Sequence, residues 1–377
     1  MILRRPTRIA LGALLLAAAA DGAHAQNVLE LEAALTIDAT ANVRGGAERE
    51  SGWLANLDLT AALDGEAIGW PGGSAFVYLL GNTGDAPNAW VGDYQVTNNI
   101  EAPEAFRLFE AWVEQSLPGG RVSVLAGLRD LNAEFHVMEH GELFINSSMG
   151  IGVTVSQTGR NGPSIFPNSA LSVRVQGEVT DAVRVRAAAW DAVANDPADP
   201  SRTDIRLSED EGALLVGEVE LGPGADAWRL VLGGFRYTEP VDTNPFDTPD
   251  SYDPARDDGV YGILEGRIGE VGDAEVHGFV HGGTANAEIY EVDAAWGGGV
   301  VATGLFGRTD DRLGVALAVA EGRPFAELVD ELIWEATYEW VAAPWATVRL
   351  DGQWVDFEDA RDDALILTTR FGIAVAR

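Results

Sequence analysis

The chain has 377 residues, with 59 acidic side chains against 25 basic ones, a formal net charge of −34 and no cysteine. The acidic excess argues against nucleic acid as a partner. The missing thiols exclude a disulfide framework and any thiolate metal or catalytic site.

In chain order, the first element is a targeting signal. Arg4, Arg5 and Arg8 precede an apolar run over residues 9–20, and Ala23-His24-Ala25 stands before Gln26. A basic start, a short apolar stretch and an A-x-A site predict a secretory signal peptide over residues 1–25, cleaved after Ala25. The run is too short to cross a bilayer, which takes about 20 residues of helix.

Residues 29–43 follow with strict alternation. Leu29, Leu31, Leu35 and Ile37 occupy one face, and Glu30, Glu32, Thr36 and Asp38 the other. Such a period of two marks a strand with one apolar and one polar side. Trp53, Leu57, Leu59 and Leu63 against Asn56, Asp58, Thr60 and Asp64 repeat it. After the Pro118-Gly119-Gly120 turn, Val122, Val124, Ala126 and Leu128 alternate with Arg121, Ser123 and Arg129. After Thr180-Asp181, Val183, Val185, Ala187 and Ala189 alternate with Arg184, Arg186 and Trp190. The pattern returns over 276–281, 346–351 and 365–375.

Tight turns alternate with long polar loops such as 192–206 and 238–258, and aromatics sit near strand ends at Trp228, Tyr237, Trp334, Tyr338, Trp340 and Trp345. With an export signal, these features predict an all-β fold: a transmembrane antiparallel β-barrel of about 16 strands, since outer-membrane barrels are even-numbered. Residues 26–377 then form a single domain, because a barrel is one closed unit whatever its length.

If the apolar set faces lipid, the polar set lines the lumen. In the hairpin over 108–129, Phe109, Ala111 and Val113 then face out, while Glu110, Trp112 and Glu114 face in with Arg121, Ser123 and Arg129. Counting back from the Pro118 turn sets Glu110 opposite Arg129, either as a structural ion pair or as a contact for solute. Arg174, Arg184 and Arg186 are further inward arginines. Trp112, Phe135 and Trp190 could offer apolar faces to a sugar ring. Residues 145–169 are too long and too rich in Gly, Ser, Asn and Pro for a simple turn. A loop of that kind can fold into a water-filled lumen. Asn161, Gly162, Pro163, Ser164 and Phe166 are therefore expected at a constriction, the alternative being an extracellular loop.

Catalysis finds little support. Glu110 and Glu114, four apart on a strand, stand about 13 Å apart, too far for a glycosidase pair. His277 and His281 share a strand face without thiolates or a third ligand, and His136 and His140 would need a helix to meet, so no metal site, cofactor or catalytic residue is expected. Acidic groups such as Asp250, Asp253, Asp257 and Asp258, or Asp356, Glu358, Asp359, Asp362 and Asp363, read as solvated loops able to bridge to lipopolysaccharide through divalent cations.

Residues 126–167 carry a more specific signal. Gly127, Asp130, Asn132, Glu134 and Phe135 are followed by Leu143-Phe144-x-Asn146-Ser147-Ser148, Gly150-x-Gly152, Ser156-Gln157 and Asn161-Gly162-Pro163-Ser164-x-Phe166-Pro167. Upstream stand Gly69-Trp70-Pro71-Gly72-Gly73, Asn99-Ile100-Glu101-Ala102 and Arg107-Leu108-x-Glu110-x-Trp112-x-Glu114-Gln115. In order and spacing these pieces resemble the carbohydrate-selective porin (OprB) family, closely over about residues 52–190. The resemblance implies a passive, carbohydrate-selective channel for small sugars, integral to a bacterial outer membrane. Its partners would be mono- or oligosaccharide solutes, outer-membrane lipid and lipopolysaccharide, the barrel assembly machinery and a homo-oligomer. The chain departs from that pattern at its last residues, Val375-Ala376-Arg377, where an aromatic residue is expected. A general porin, or an exported soluble glycan-binding β-protein, would share the strand pattern.

Overall fold

The computed structural model describes residues 28–196, 198–208, 210–222, 228–242, 254–322, 330–358 and 361–377. The signal segment 1–25, and Asp250, Asp253 and Asp359 of the acidic loops, lie outside the described residues.

Sixteen antiparallel strands close into a barrel. They are β1 (Leu29–Arg44), β2 (Ser51–Asp64), β3 (Gly73–Gly84), β4 (Ala105–Ser116), β5 (Val122–Arg129), β6 (Ala170–Thr180), β7 (Val183–Asp191) and β8 (Ala213–Leu221), then β9 (Arg229–Tyr237), β10 (Asp258–Val271), β11 (Ala274–Ala285), β12 (Val292–Thr303), β13 (Arg312–Gly322), β14 (Glu331–Ala343), β15 (Ala346–Asp356) and β16 (Ala364–Ala376). Each strand pairs with its chain neighbours, and β16 returns to β1 with Arg370 opposite Asp38. Closure leaves no free sheet edge, the condition for crossing a bilayer with strands. Short connections at 181–182, 272–273 and 344–345 lie at the end that carries both described termini, and the long loops 85–104, 130–169 and 192–212 lie at the other.

The outer wall keeps the predicted apolar face, with Val113, Val173, Val185, Val280 and Leu350 exposed. Trp228, Trp334, Trp340 and Trp345 are exposed as well, as a membrane-facing belt requires. Tyr237 does not join them. It is buried inside the barrel, with its hydroxyl near that of Thr158.

Two departures from simple alternation shape the interior. A bulge slips the β3–β4 register, so that Tyr78 opposes Glu110 while Leu79 opposes Leu108. Phe109 is the extra residue, and it turns inward against Tyr78 at 5.1 Å, where alternation alone had placed it toward lipid. Across β9–β13 much of the inner face is itself apolar: Val231, Ile263, Phe279, Ala316 and Ala318 belong to one buried cluster. That cluster needs apolar partners from within the lumen, and a loop supplies them.

Candidate channel constriction

The loop over 130–169 enters the barrel because it carries a hydrophobic face of its own. Phe135, Leu143, Phe144, Met149, Ile151 and Val155 bury against the apolar sector of β9–β13. Phe144 lies 5.9 Å from Phe279, and a Cβ on Gly314 would stand 2.6 Å from the Phe144 ring. Bare backbone at that position gives the ring its seat.

A loop inside the lumen must still satisfy its backbone polar groups. Carboxylates of the wall do so in sequence around the barrel. Glu218 of β8 accepts the His136 N–H at 2.7 Å, Glu265 of β10 accepts those of Glu139 and His140, and Glu335 of β14 accepts those of Ile145 and Asn146. Residues 136–146 thus pass across the inner wall from β8 to β14. A short helix, α2 (Val153–Ser156), follows.

A second loop, 85–104, with helix α1 (Pro87–Val91) at its start, completes the obstruction. Its Tyr94 and Gln95 N–H groups donate to Glu331, and Gln353 donates to the Thr97 carbonyl. Arg370 grips Asp38 through two bonds of 2.8 Å and donates to Asn99. The two loops join where Asn99 N–H meets the Ile145 carbonyl and Ser147 N–H the Val96 carbonyl. Sequence reasoning missed this second segment. Its signal was there, in a polar, Asn-rich stretch between two strand patterns that was too long for a turn.

Between loop and wall runs a ladder of ion pairs. Arg129 holds Glu110 at 2.6 Å, with Glu134 at 3.6 Å. Arg174 bonds Glu134 twice, at 2.7 and 2.8 Å, and also Glu114 at 3.0 Å and Ser123 at 2.7 Å. Arg186 reaches the Glu134 carbonyl, Glu218 and Glu220, Arg184 reaches Glu178 and Glu220, and Arg229 joins Glu220 to Glu265. Burial alone would raise the Glu134 carboxyl, but the Arg174 bonds and the charges of Arg129, Arg174 and Arg186 hold it below its ordinary value.

On β3 and β4 the ladder borders an aromatic wall. Phe76 and Trp112 stack at 5.2 Å, the Arg129 guanidinium lies 4.9 Å over the Trp112 ring, and the indole N–H donates to Glu110. Both rings are half-buried.

The structure therefore sorts the expected residues. It brings Glu110, Trp112, Glu114, Arg129, Arg174, Arg184 and Arg186 to one inner sector. Arg121 is a correction: it is 55% exposed, pairs with Asp181 and belongs to the rim at the short-turn end, far along the strand from Arg129. Trp190 is another. It is 2% exposed, edge-on to Phe135, and donates to the Arg129 carbonyl, so it supports the loop from beneath and presents no face to solute. In the segment expected at the constriction, Pro163 and Ser164 are buried, Ser164 bonding the Arg129 carbonyl and the Ala170 N–H. Asn161 donates to the Ala194 carbonyl and Phe166 packs on Phe109, while Asn161, Gly162 and Phe166 keep partial exposure. This stretch returns along the wall, and the lumen is crossed by 136–146.

The family profile for the carbohydrate-selective porins, OprB family, matches residues 51–374. No curated protein matches the sequence. Among solved structures, the chain is similar to the high-pH structure of Pseudomonas putida OprB, at 17% identity and a TM-score of 0.80, covering 93% of this chain and 94% of that one. The low-pH structure of the same protein matches at 15% identity and 0.61, with 93% of each chain covered. An anion-selective porin from Comamonas acidovorans matches at 11% and 0.58, covering 92% of this chain and 99% of that one.

Proposed function

Because this chain belongs to the carbohydrate-selective porin (OprB) family, and is on that ground an outer-membrane channel for passive sugar diffusion, we propose that its selectivity resides in the aromatic and charged sector around Trp112. The stacked Phe76–Trp112 pair, edged by Glu110, Glu114 and Arg129, carries this reading. A pyranose has an apolar C–H side and hydroxyl groups that both donate and accept. Rings meet the first, while carboxylate and guanidinium meet the second. Weak, rapidly exchanged contacts of this kind guide a solute without trapping it. Glu114, Arg129, Arg184 and Arg186 are proposed as the charged lining, with Arg174 and the buried Glu110, held by Arg129 and Trp112, setting their positions. Half-exposed Asn161, Gly162 and Phe166 are proposed at the upper margin of the channel.

The expected leader over 1–25 is proposed to direct export and to be removed after Ala25, with the barrel assembly machinery, lipopolysaccharide and a homo-oligomer as partners of the mature chain. Channel conduction accounts for the site without a catalytic step.

Reconstitution into planar bilayers tests the reading. Ionic current should be blocked in graded fashion by mono- and oligosaccharides. Trp112→Ala should weaken that block by roughly fivefold or more, as loss of one good aromatic contact of about 1 kcal/mol or more would. Full block in the variant, or no block of the wild-type channel, would remove Trp112 or sugar selectivity from the account respectively.

A further inference from the structure

The four histidines among the described residues meet along one seam. His136 and His140 belong to the lumen-crossing loop, and His277 and His281 to the inner face of β11. The loop lies along the strand so that His136 faces His281 with ring centres 6.1 Å apart, while His140 stacks on His277 at 4.5 Å. Nδ1 of His136 and Nε2 of His281 are buried without a hydrogen-bond partner.

The groups around the seam are already engaged. His136 lies 4.6 Å from the Tyr261 ring on β10, and Glu218 on β8 takes its backbone N–H, the Tyr261 hydroxyl and Arg186. His281 faces His136 and the backbone of Gly152 and Gly297. Beside His140, Glu265 of β10 is held by Arg229, Glu142 by Arg312 of β13, and Glu139 adjoins it in the loop. His277 stands across from Arg267 on β10, which is paired with Glu270 and Glu275. Among the described residues, Glu139 is the one of these carboxylates with no arginine at ion-pair distance.

We propose that these two histidine pairs form an acid-sensitive latch, in which protonation of the facing rings drives residues 136–140 off β11 and into the open side of the lumen along β1–β6, closing the channel reversibly. The geometry gives the direction. Facing imidazolium rings at these separations repel, and β11 cannot retreat because it is bonded to β10 and β12 along its length. The loop is the movable partner, and it is anchored on both sides of the seam, by Glu134 to Arg174 and by Ile145 and Asn146 to Glu335. The bonds between these anchors, from the N–H groups of His136 to Glu218 and of Glu139 and His140 to Glu265, are the ones that must break for it to move. A segment fixed at both ends swings inward as a flap. Burial favours the neutral form of the two loop rings: it pushes His136 down to about 4 and lowers His140, the nearby Glu265 offsetting part of the latter. The latch is therefore shut onto the wall at neutral pH. It loosens as pH falls below the ordinary histidine range of about 6.5.

The test is single-channel recording of the full mature chain in planar bilayers, stepping from neutral pH to about 4. Wild-type channels should close reversibly, with open probability falling by roughly tenfold or more, the change that one unit of proton linkage brings. The His140→Gln/His277→Gln and His136→Gln/His281→Gln variants should each close at lower pH than wild type. The fourfold variant should stay open at the pH at which wild type closes. At neutral pH all should share wild-type conductance and sugar block, which separates failure of the latch from failure of the sugar-channel reading. Closure of the fourfold variant at the wild-type pH, or a wild-type channel that stays open in acid, overturns the proposal. If the buried pair does not tolerate replacement, the His140→Gln/His277→Gln variant decides alone, and an unshifted closing pH overturns it.

Discussion

Arg174→Met should unsettle the constriction without altering the barrel. Arg174 is 2% exposed, and it joins Glu134 of the loop to Glu114 of β4 and Ser123 of β5. Methionine keeps much of the stem volume and removes every donor. Among the described residues, Arg129 at 3.6 Å is then the remaining ion-pair partner of Glu134, with Arg186 on its backbone carbonyl, and Glu114 loses its charged partner. Removing one member of a buried ion pair costs about 3 to 5 kcal/mol; partial water access at both carboxylates scales this to roughly 2 to 3 kcal/mol. At 1.4 kcal/mol per decade, the displaced state of the loop should grow by roughly 30- to 150-fold. Single-channel recording would show this as more frequent brief closures, and the temperature at which the folded barrel opens in detergent would fall. Adding Glu134→Gln removes the stranded charge and should restore most of both quantities. A quiet Arg174→Met channel, or a double variant no better than the single one, would refute the ion-pair account of how the loop is held.

Three other outcomes follow from the same geometry. Arg at Val124 or Val185, both on the outer face, should impair assembly, since a midplane charge there costs about 2 to 4 kcal/mol, whereas Arg at Thr36, which points inward and is partly exposed, should be tolerated; heat-modifiable mobility of the folded band reads both. Gly314→Val should destabilise by roughly 1 to 3 kcal/mol and change conductance, because its side chain must displace the Phe144 ring; normal conductance and stability would show that the loop does not seat there. In a background with the four loop and strand histidines replaced by Gln, a separate acid response should remain: Glu134 lies below its ordinary value, so its clamp is complete above about pH 4.3 and is lost as pH falls through its lowered folded value. A response that instead begins above pH 5 would assign it to another group.

Barrel, strand direction and family were legible in the sequence because each rests on local signals. Period-two alternation marks strands wherever one face meets lipid and the other water, as in 29–43 and 183–190. The inner sector failed for the same reason that the rule works elsewhere. Val231, Ile263 and Phe279 face inward yet meet protein instead of water, so polarity no longer reports direction there. Phe109 was misplaced because a single inserted residue shifts the alternation on one side of the bulge, here N-terminal to Glu110, while Val113 keeps its expected face, and a bulge leaves no mark in composition. Glu110 and Arg129 could be paired by counting from a tight turn. Trp190, expected on the sugar path, was misplaced because its burial depends on Phe135, in a loop segment 55 residues earlier in the chain. The meeting of His136 with His281 is of the same kind: two extended segments brought side by side by the loop's hydrophobic face.

The ladder also bears on why a chain of such negative charge can serve a neutral solute. Along the sector from β4 to β10, Arg129, Arg174, Arg184, Arg186 and Arg229 stand among Glu110, Glu114, Glu134, Glu218, Glu220 and Glu265, and each guanidinium has a carboxylate within 3.3 Å. Five charges of one sign interleaved with six of the other leave little net field at the narrowest part. Many of the remaining acids lie in loops, where screening beyond about 8 Å at physiological salt limits their reach into the lumen. A paired ladder presents donors and acceptors together, at fixed positions, which matches a polyhydroxylated ring and offers an ion no preferred sign. The arginines then have two tasks with one geometry. They hold the loop that narrows the channel, and in the lining proposed above the unshared edges of Arg129, Arg184 and Arg186, with those of Glu114, are what a sugar meets.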